Sequence, residues 1–194
     1  MKKTLIVLAS LLALAIGATA QQQLSFAQLP LVSSPAQMPI GYGQLTWSNF
    51  YYVDPFLWSG AGPGFELGTQ GTDVAFVSSQ NCRVNGSSNI CDATISDSAG
   101  FELVSASVAG GYGPASVVAM AYSNGNYIGS MNFMVGTSQE TINFPATWGI
   151  ITELQLQVTS QQTDDLVLYN LSFYNIVQDP PSPAPVQDPP PPGE

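Results

Sequence analysis

The sequence predicts an all-β protein of about eight strands, folded as a sandwich or a barrel. Three observations carry this. Between Gly41 and Val177, short runs rich in β-branched and aromatic residues are divided by Gly, Asn, Ser and Pro. Several runs alternate apolar with polar residues, as in Leu154-Gln155-Leu156-Gln157-Val158. Beyond the first twenty residues, no segment sustains a helical period for three turns.

Taken in order, residues 21–40 read as an extended lead-in, with Gln21-Gln22-Gln23 and Pro30, Pro35 and Pro39. The first strand spans 44–53. Trp47, Tyr51 and Val53 fall on one of its faces, Phe50 and Tyr52 on the other. A strand apolar on both faces is buried on both sides or covered by a loop. Further strands are expected at 73–78, 101–109, 115–123, 126–135, 140–145, 150–158 and 165–176. Ser123-Asn124-Gly125-Asn126 joins two of them as a tight hairpin. Residues 178–194 carry eight of the fifteen prolines and repeat the unit Val-Gln-Asp-Pro-Pro found at 177–181. Such a tail is an extended polyproline spacer, or a ligand for a proline-binding domain.

The first twenty residues have a different character. Lys2 and Lys3 precede an apolar core from Leu5 to Ile16, followed by Ala18-Thr19-Ala20. A short basic region, an apolar core and an A-x-A site together describe a secretory signal peptide, residues 1–20. The apolar core is shorter than the ~20 residues of a membrane anchor. The expected organisation is therefore leader 1–20, lead-in 21–40, β-sandwich domain 41–177 and proline-rich tail 178–194. Losing Lys2 and Lys3 with the leader takes the formal charge from −10 to −12 and leaves Arg83 as the one basic residue.

That balance excludes several functions. Nucleic-acid binding depends on Lys and Arg against phosphate, so no such partner is expected. The chain has no histidine, which removes Ser-His-Asp and Cys-His catalysis and the commonest zinc ligand. No membrane span is expected in the mature chain, and oligomeric state is left open by the sequence. In an oxidising compartment Cys82 and Cys91, the only two cysteines, are expected to form a disulfide. Closing that loop is worth about 2.5 kcal/mol on the chain-entropy account. Asn85-Gly86-Ser87 inside it and Asn170-Leu171-Ser172 are glycosylation sequons, the first on a turn and the second in an apolar run.

Several runs carry a family likeness. Tyr42-Gly43-Gln44-Leu45-Thr46-Trp47-Ser48-Asn49-Phe50-Tyr51-Tyr52 resembles the opening strand of secreted jelly-roll proteins of bacteria and fungi, related to PEP-CTERM-type surface proteins. Phe101–Ala106, Val117–Gly125, Ile150–Leu156 and Leu166–Phe173 look like later strands of the same family. The likeness covers most of 41–177. Tyr169 stands where that family has a closing Asp, and no PEP sorting signal follows Val177. The resemblance implies a galactose-binding-like, jelly-roll-like antiparallel β-sandwich that associates with carbohydrate or cell wall. It also raises a structural calcium, for which no ligand set is named; no other cofactor is expected.

The residues themselves bear on two chemistries. A glycosidase needs two carboxylates flanking the scissile bond. Glu66, Asp73, Glu102, Glu140 and Glu153 are candidates, but no paired signature joins them, so no catalytic residue is assigned and the chain is read as a non-enzyme. Sugar stacking needs flat aromatic faces. Core packing is the reading for Trp47 and Tyr51. Phe56 and Trp58 lie before the glycine-rich Ser59–Gly64 loop, and Tyr112 lies within Gly110–Pro114. These three are the candidate ligand-binding platforms. The sequence thus points to a secreted, extracellular or wall-associated module for neutral carbohydrate or cell-wall polysaccharide. A structural or adhesive surface protein without a small-ligand site is the alternative, and a glycoside-active enzyme a further one.

Overall fold

Among the described residues of the computed structural model there are twelve strands, all paired antiparallel, and short 3-10 turns at Tyr42–Gln44 and Ala146–Trp148. The structure describes residues 20–68, 71–77, 83–85, 88–160 and 165–175, with backbone alone at 83–85, 88–90 and 159–160. Most of the leader, Cys82 and the proline-rich tail lie outside them. The strands are β1 (Gln21–Ser25), β2 (Ala36–Gln37), β3 (Thr46–Ser48), β4 (Phe50–Val53), β5 (Val74–Val77) and β6 (Arg83–Asn85). They continue with β7 (Ser88–Gly110), β8 (Ala115–Ser123), β9 (Asn126–Val135), β10 (Glu140–Asn143), β11 (Ile150–Ser160) and β12 (Leu166–Asn175).

The 23-residue β7 links the two layers of a jelly-roll-like sandwich. Its first part pairs with β11 and β3, and its last part, from Phe101 to Gly110, pairs with β12 and β10. Gly100, at φ +88°, sits at the changeover, a backbone angle that L side chains rarely adopt. One layer therefore runs β9-β8-β11-β7-β3, and the other β2-β4-β5-β12-β7 with β10 beside β7. Trp47, Ile95, Val117, Leu154 and Leu156 from the first layer meet Phe50, Val108, Leu166, Leu168 and Phe173 from the second in one buried core. At Asn124 and Gly125 (φ +50° and +79°) the β8–β9 hairpin turns as the Asn-Gly pair predicts.

Twelve strands replace the expected eight or so for local reasons. The run 44–53 breaks at Asn49, whose φ of +60° reverses the phase of the chain. Trp47 and Phe50 consequently face the same core and meet edge to face at 5.0 Å, so the grouping of Trp47 with Tyr51 and Val53 is corrected. The lead-in also pairs: β1 lies along β12, and Phe26, Leu29 and Met38 enter the core. Ala36–Gln37 forms β2 beside β4, and the hairpin between β6 and β7 supplies the fourth added strand, with Asn85 opposite Ser88.

Candidate functional site

The segment between β4 and β5 covers the outer face of the second layer. Val53, Val74, Phe76 and Val167 project there, away from the main core, and Phe65 closes over them. Asp54, itself 2% exposed, begins the segment with a tight turn. Its carboxylate accepts the Phe56 N–H at 2.9 Å, and its carbonyl accepts the N–H groups of Leu57 and Trp58 at 3.1 Å. That turn sends Phe56 and Leu57 outward and folds Trp58 back onto the sheet.

Trp58 stacks on Phe76 (6.1 Å, 17°) and meets Phe65 edge to face at 5.3 Å. Tyr112 reaches in from the β7–β8 loop, 6.5 Å from Trp58, and its hydroxyl donates to the Gly60 carbonyl at 2.6 Å. The glycines leave room for these rings. A Cβ at Gly60 would lie 2.8 Å from the Trp58 indole, and one at Gly62 2.5 Å from the Tyr112 ring. On the other side of the segment the Tyr169 hydroxyl donates to the Gly64 carbonyl, and burial pushes its pKa up to about 12. Of the three candidate platforms, Trp58 and Tyr112 thus come together as a half-exposed cap on a small core. Phe56 stands 42% exposed, and no ring pair among the described residues includes it.

Of the other singled-out residues, Asn170 is half-buried in mid-strand, opposite Ser25 of β1 and Ser107 of β7. Asn85 ends β6. Cys91 is buried and disulfide-bonded, while Cys82 lies outside the described residues.

A second surface, on strands rather than loops, lies open on the first layer. On the first layer, residues facing away from the core align across five strands. One row runs Tyr127, Tyr122, Glu153, Ser96, Thr46; the next runs Ser130, Met120, Gln155, Thr94, Ser48; a third runs Asn132, Val118, Gln157, Asp92. Every one of these is exposed or half-exposed. Tyr122 and Tyr127 meet at 5.8 Å and 68°, and the Tyr127 hydroxyl donates to Ser130 Oγ at 2.8 Å. Five strands about 4.8 Å apart make a face roughly 19 Å wide. It is rich in amides and hydroxyls, carries an aromatic pair at one end, and holds Glu153 and Asp92 as its charges. The signal was present in the alternation of Gln155 and Gln157 with Leu154, Leu156 and Val158, and of Thr94 and Ser96 with Ala93 and Ile95.

A third feature is a cavity of about 260 Å³ whose lining includes Ser25, Thr72, Asp73, Gln139 and Tyr169. Asp73 is 3% exposed, and among the described residues neither carboxylate oxygen has a hydrogen-bond partner. Burial, reinforced by the charge of Asp54, pushes its pKa up to about 6. The other candidate carboxylates for hydrolysis are dispersed: Glu66 exposed on the segment between β4 and β5, Glu102 on β7 opposite Ile150, Glu153 on the open face, and Glu140 on β10, where it accepts the Gly136 N–H. Among the described residues no three potential ligands gather into a metal cluster, and no helix is long and apolar enough to cross a membrane.

No family model matches this chain, and no curated protein matches it. Among solved structures it is similar to a DUF4465 family protein from Bacteroides caccae (13% identity, 88% of this chain and 99% of that one, TM-score 0.44). A family 11 carbohydrate-binding module of a cellulosomal cellulase of Clostridium thermocellum gives 11% identity over 84% and 98% of the two chains, with TM-score 0.44. TmCBM61 in complex with β-1,4-galactotriose gives 13% identity over 68% of this chain and 88% of that one, with TM-score 0.38.

Proposed function

We propose that this protein is a secreted, non-catalytic module that binds neutral carbohydrate across the open face of its first layer. The observation that carries the reading is the contrast between the two layers. The outer face of the second is sealed by Phe65 and Trp58, whereas the first presents the Tyr122–Tyr127 pair beside rows of amides and hydroxyls. Pyranose rings offer apolar C–H faces to aromatic rings and hydroxyls to Gln, Asn, Ser and Thr. Glu153, Asp92 and the overall negative charge disfavour uronic-acid and sulfated polymers. Secretion rests on the leader at 1–20, and the tail 178–194 serves as a spacer. The test is binding to immobilised neutral and anionic polysaccharides at moderate salt. Retention on a neutral polymer and none on anionic ones supports the reading. Retention on no polysaccharide would leave a structural or adhesive role in its place.

A further inference from the structure

Along β8 the open face carries an apolar stripe with polar flanks. Tyr122, Met120 and Val118 face outward in succession, and the Tyr122 hydroxyl lies 3.7 Å from the Met120 sulfur. Register sets Glu153, Gln155 and Gln157 of β11 beside them on one flank, and Tyr127, Ser130 and Asn132 of β9 on the other. A pyranose ring has a matching profile, an apolar face between hydroxyl-bearing edges, so a glycan chain fits this face running along β8. Away from the tyrosines the stripe runs into a cavity of about 440 Å³ whose lining includes Ser116, Val118, Asn132 and Met134. It begins four residues along β8 from Tyr122, a distance of about 14 Å. Met134, 70% exposed, is the most exposed large hydrophobic residue on the described strands.

We propose that this cavity holds the acetamido group of an N-acetylated sugar, so that the open face prefers N-acetylated glycans to plain glucans. The inference rests on the carbohydrate reading of that face and names the substrate class. An acetamido group presents a methyl and an amide side by side. Val118 and Met134 give the methyl an apolar surface, and a thioether adapts to an irregular partner. The amide of Asn132, opposite Val118, can donate to the acetamido carbonyl and accept from its N–H. A sugar hydroxyl set over the same surface would exchange water for an apolar floor, which costs free energy. Among the described residues no charged side chain lines the cavity, which suits a neutral substituent, and the formal charge of −10 opposes a uronate there.

The test is isothermal titration with chitin and cellulose oligosaccharides of equal length, which differ only in the group on the second ring carbon. The chitin oligosaccharide should bind about fivefold to tenfold tighter, as one partly buried methyl and one amide hydrogen bond would give. Met134→Ala should bring its affinity down towards that of the cellulose oligosaccharide and leave the latter as it was. Because Met134 is exposed, the melting temperature should not move, so lost affinity is not lost fold. Asn132→Ala should narrow the gap between the two ligands as well. Equal affinities in the unaltered protein overturn the proposal and leave the carbohydrate reading standing, whereas binding of neither removes both. A preference for chitin that survives both substitutions seats the acetamido group elsewhere and also overturns it.

Discussion

The indole of Trp58 lies flat on Phe76, ring centroids 6.1 Å apart and planes 17° apart, and so seals the outer face of β5 with a residue from the loop beside it. This contact gives Trp58, a candidate sugar platform, a packing role in the fold. Trp58→Ala removes the lid over Phe65 and Phe76 and should destabilise the domain by about 2 kcal/mol. That is short of the roughly 3–5 kcal/mol for a fully buried tryptophan, because one side of the ring is open. Thermal or urea unfolding measures it, and a variant as stable as the parent would show that the indole contributes no packing.

The orphaned carboxylate of Asp73 gives a pH signature with a definite sign. Its folded-state pKa is raised from 3.8 to about 6, so the fold favours the protonated form. The associated stability is complete below the unfolded value and is lost as pH rises through about 6. Asp73→Asn mimics the neutral group and should raise the melting temperature near neutral pH, with the gain shrinking towards pH 4. A stability difference between variant and parent that is flat across this range, or that grows on acidification, would contradict the assignment.

Cys91 lies at 2% exposure at the start of the buried part of β7. Titrating the unfolded, unreduced protein for free thiols should find none, given a Cys82–Cys91 bridge. Reduction should cost about 2.5 kcal/mol, the entropy returned to a loop of about ten residues. Two reactive thiols without reductant would exclude the bridge.

Strand positions were legible because burial imposes a period on them. β8 and β9 begin and end where alternation and the Asn-Gly turn put them. Pairing across the chain was not legible. Gln21–Ser25 looks polar, and only its partner β12 makes it a strand. The reversal at Asn49 left no periodic trace either, since Phe50–Val53 is apolar on both faces and fits either phase. The site was half legible for a related reason. Glycines at 60 and 62 do lie against the rings of Trp58 and Tyr112, where a Cβ would clash, a contact that the sequence alone did not show. The open face is assembled from strands distant in sequence, so Tyr127, Gln155 and Thr94 become neighbours only through register.

The open face and the loop cap make opposite predictions for binding, which allows one experiment to separate them. Tyr127 is 57% exposed and touches the fold through Tyr122 and Ser130, so Tyr127→Ala should leave the melting temperature almost unchanged. If a pyranose stacks on this pair, the same change should weaken binding of a neutral oligosaccharide about fivefold to tenfold, or about 1–1.4 kcal/mol. Gln155→Ala, one row inward, should weaken it by about the worth of one hydrogen bond, roughly 1 kcal/mol. Trp58→Ala should lower stability and leave the affinity of the folded fraction as it was. Isothermal titration alongside unfolding of all three variants reads both quantities on each. Affinity lost with Trp58 and kept with Tyr127 and Gln155 would move the carbohydrate site from the sheet to the loop.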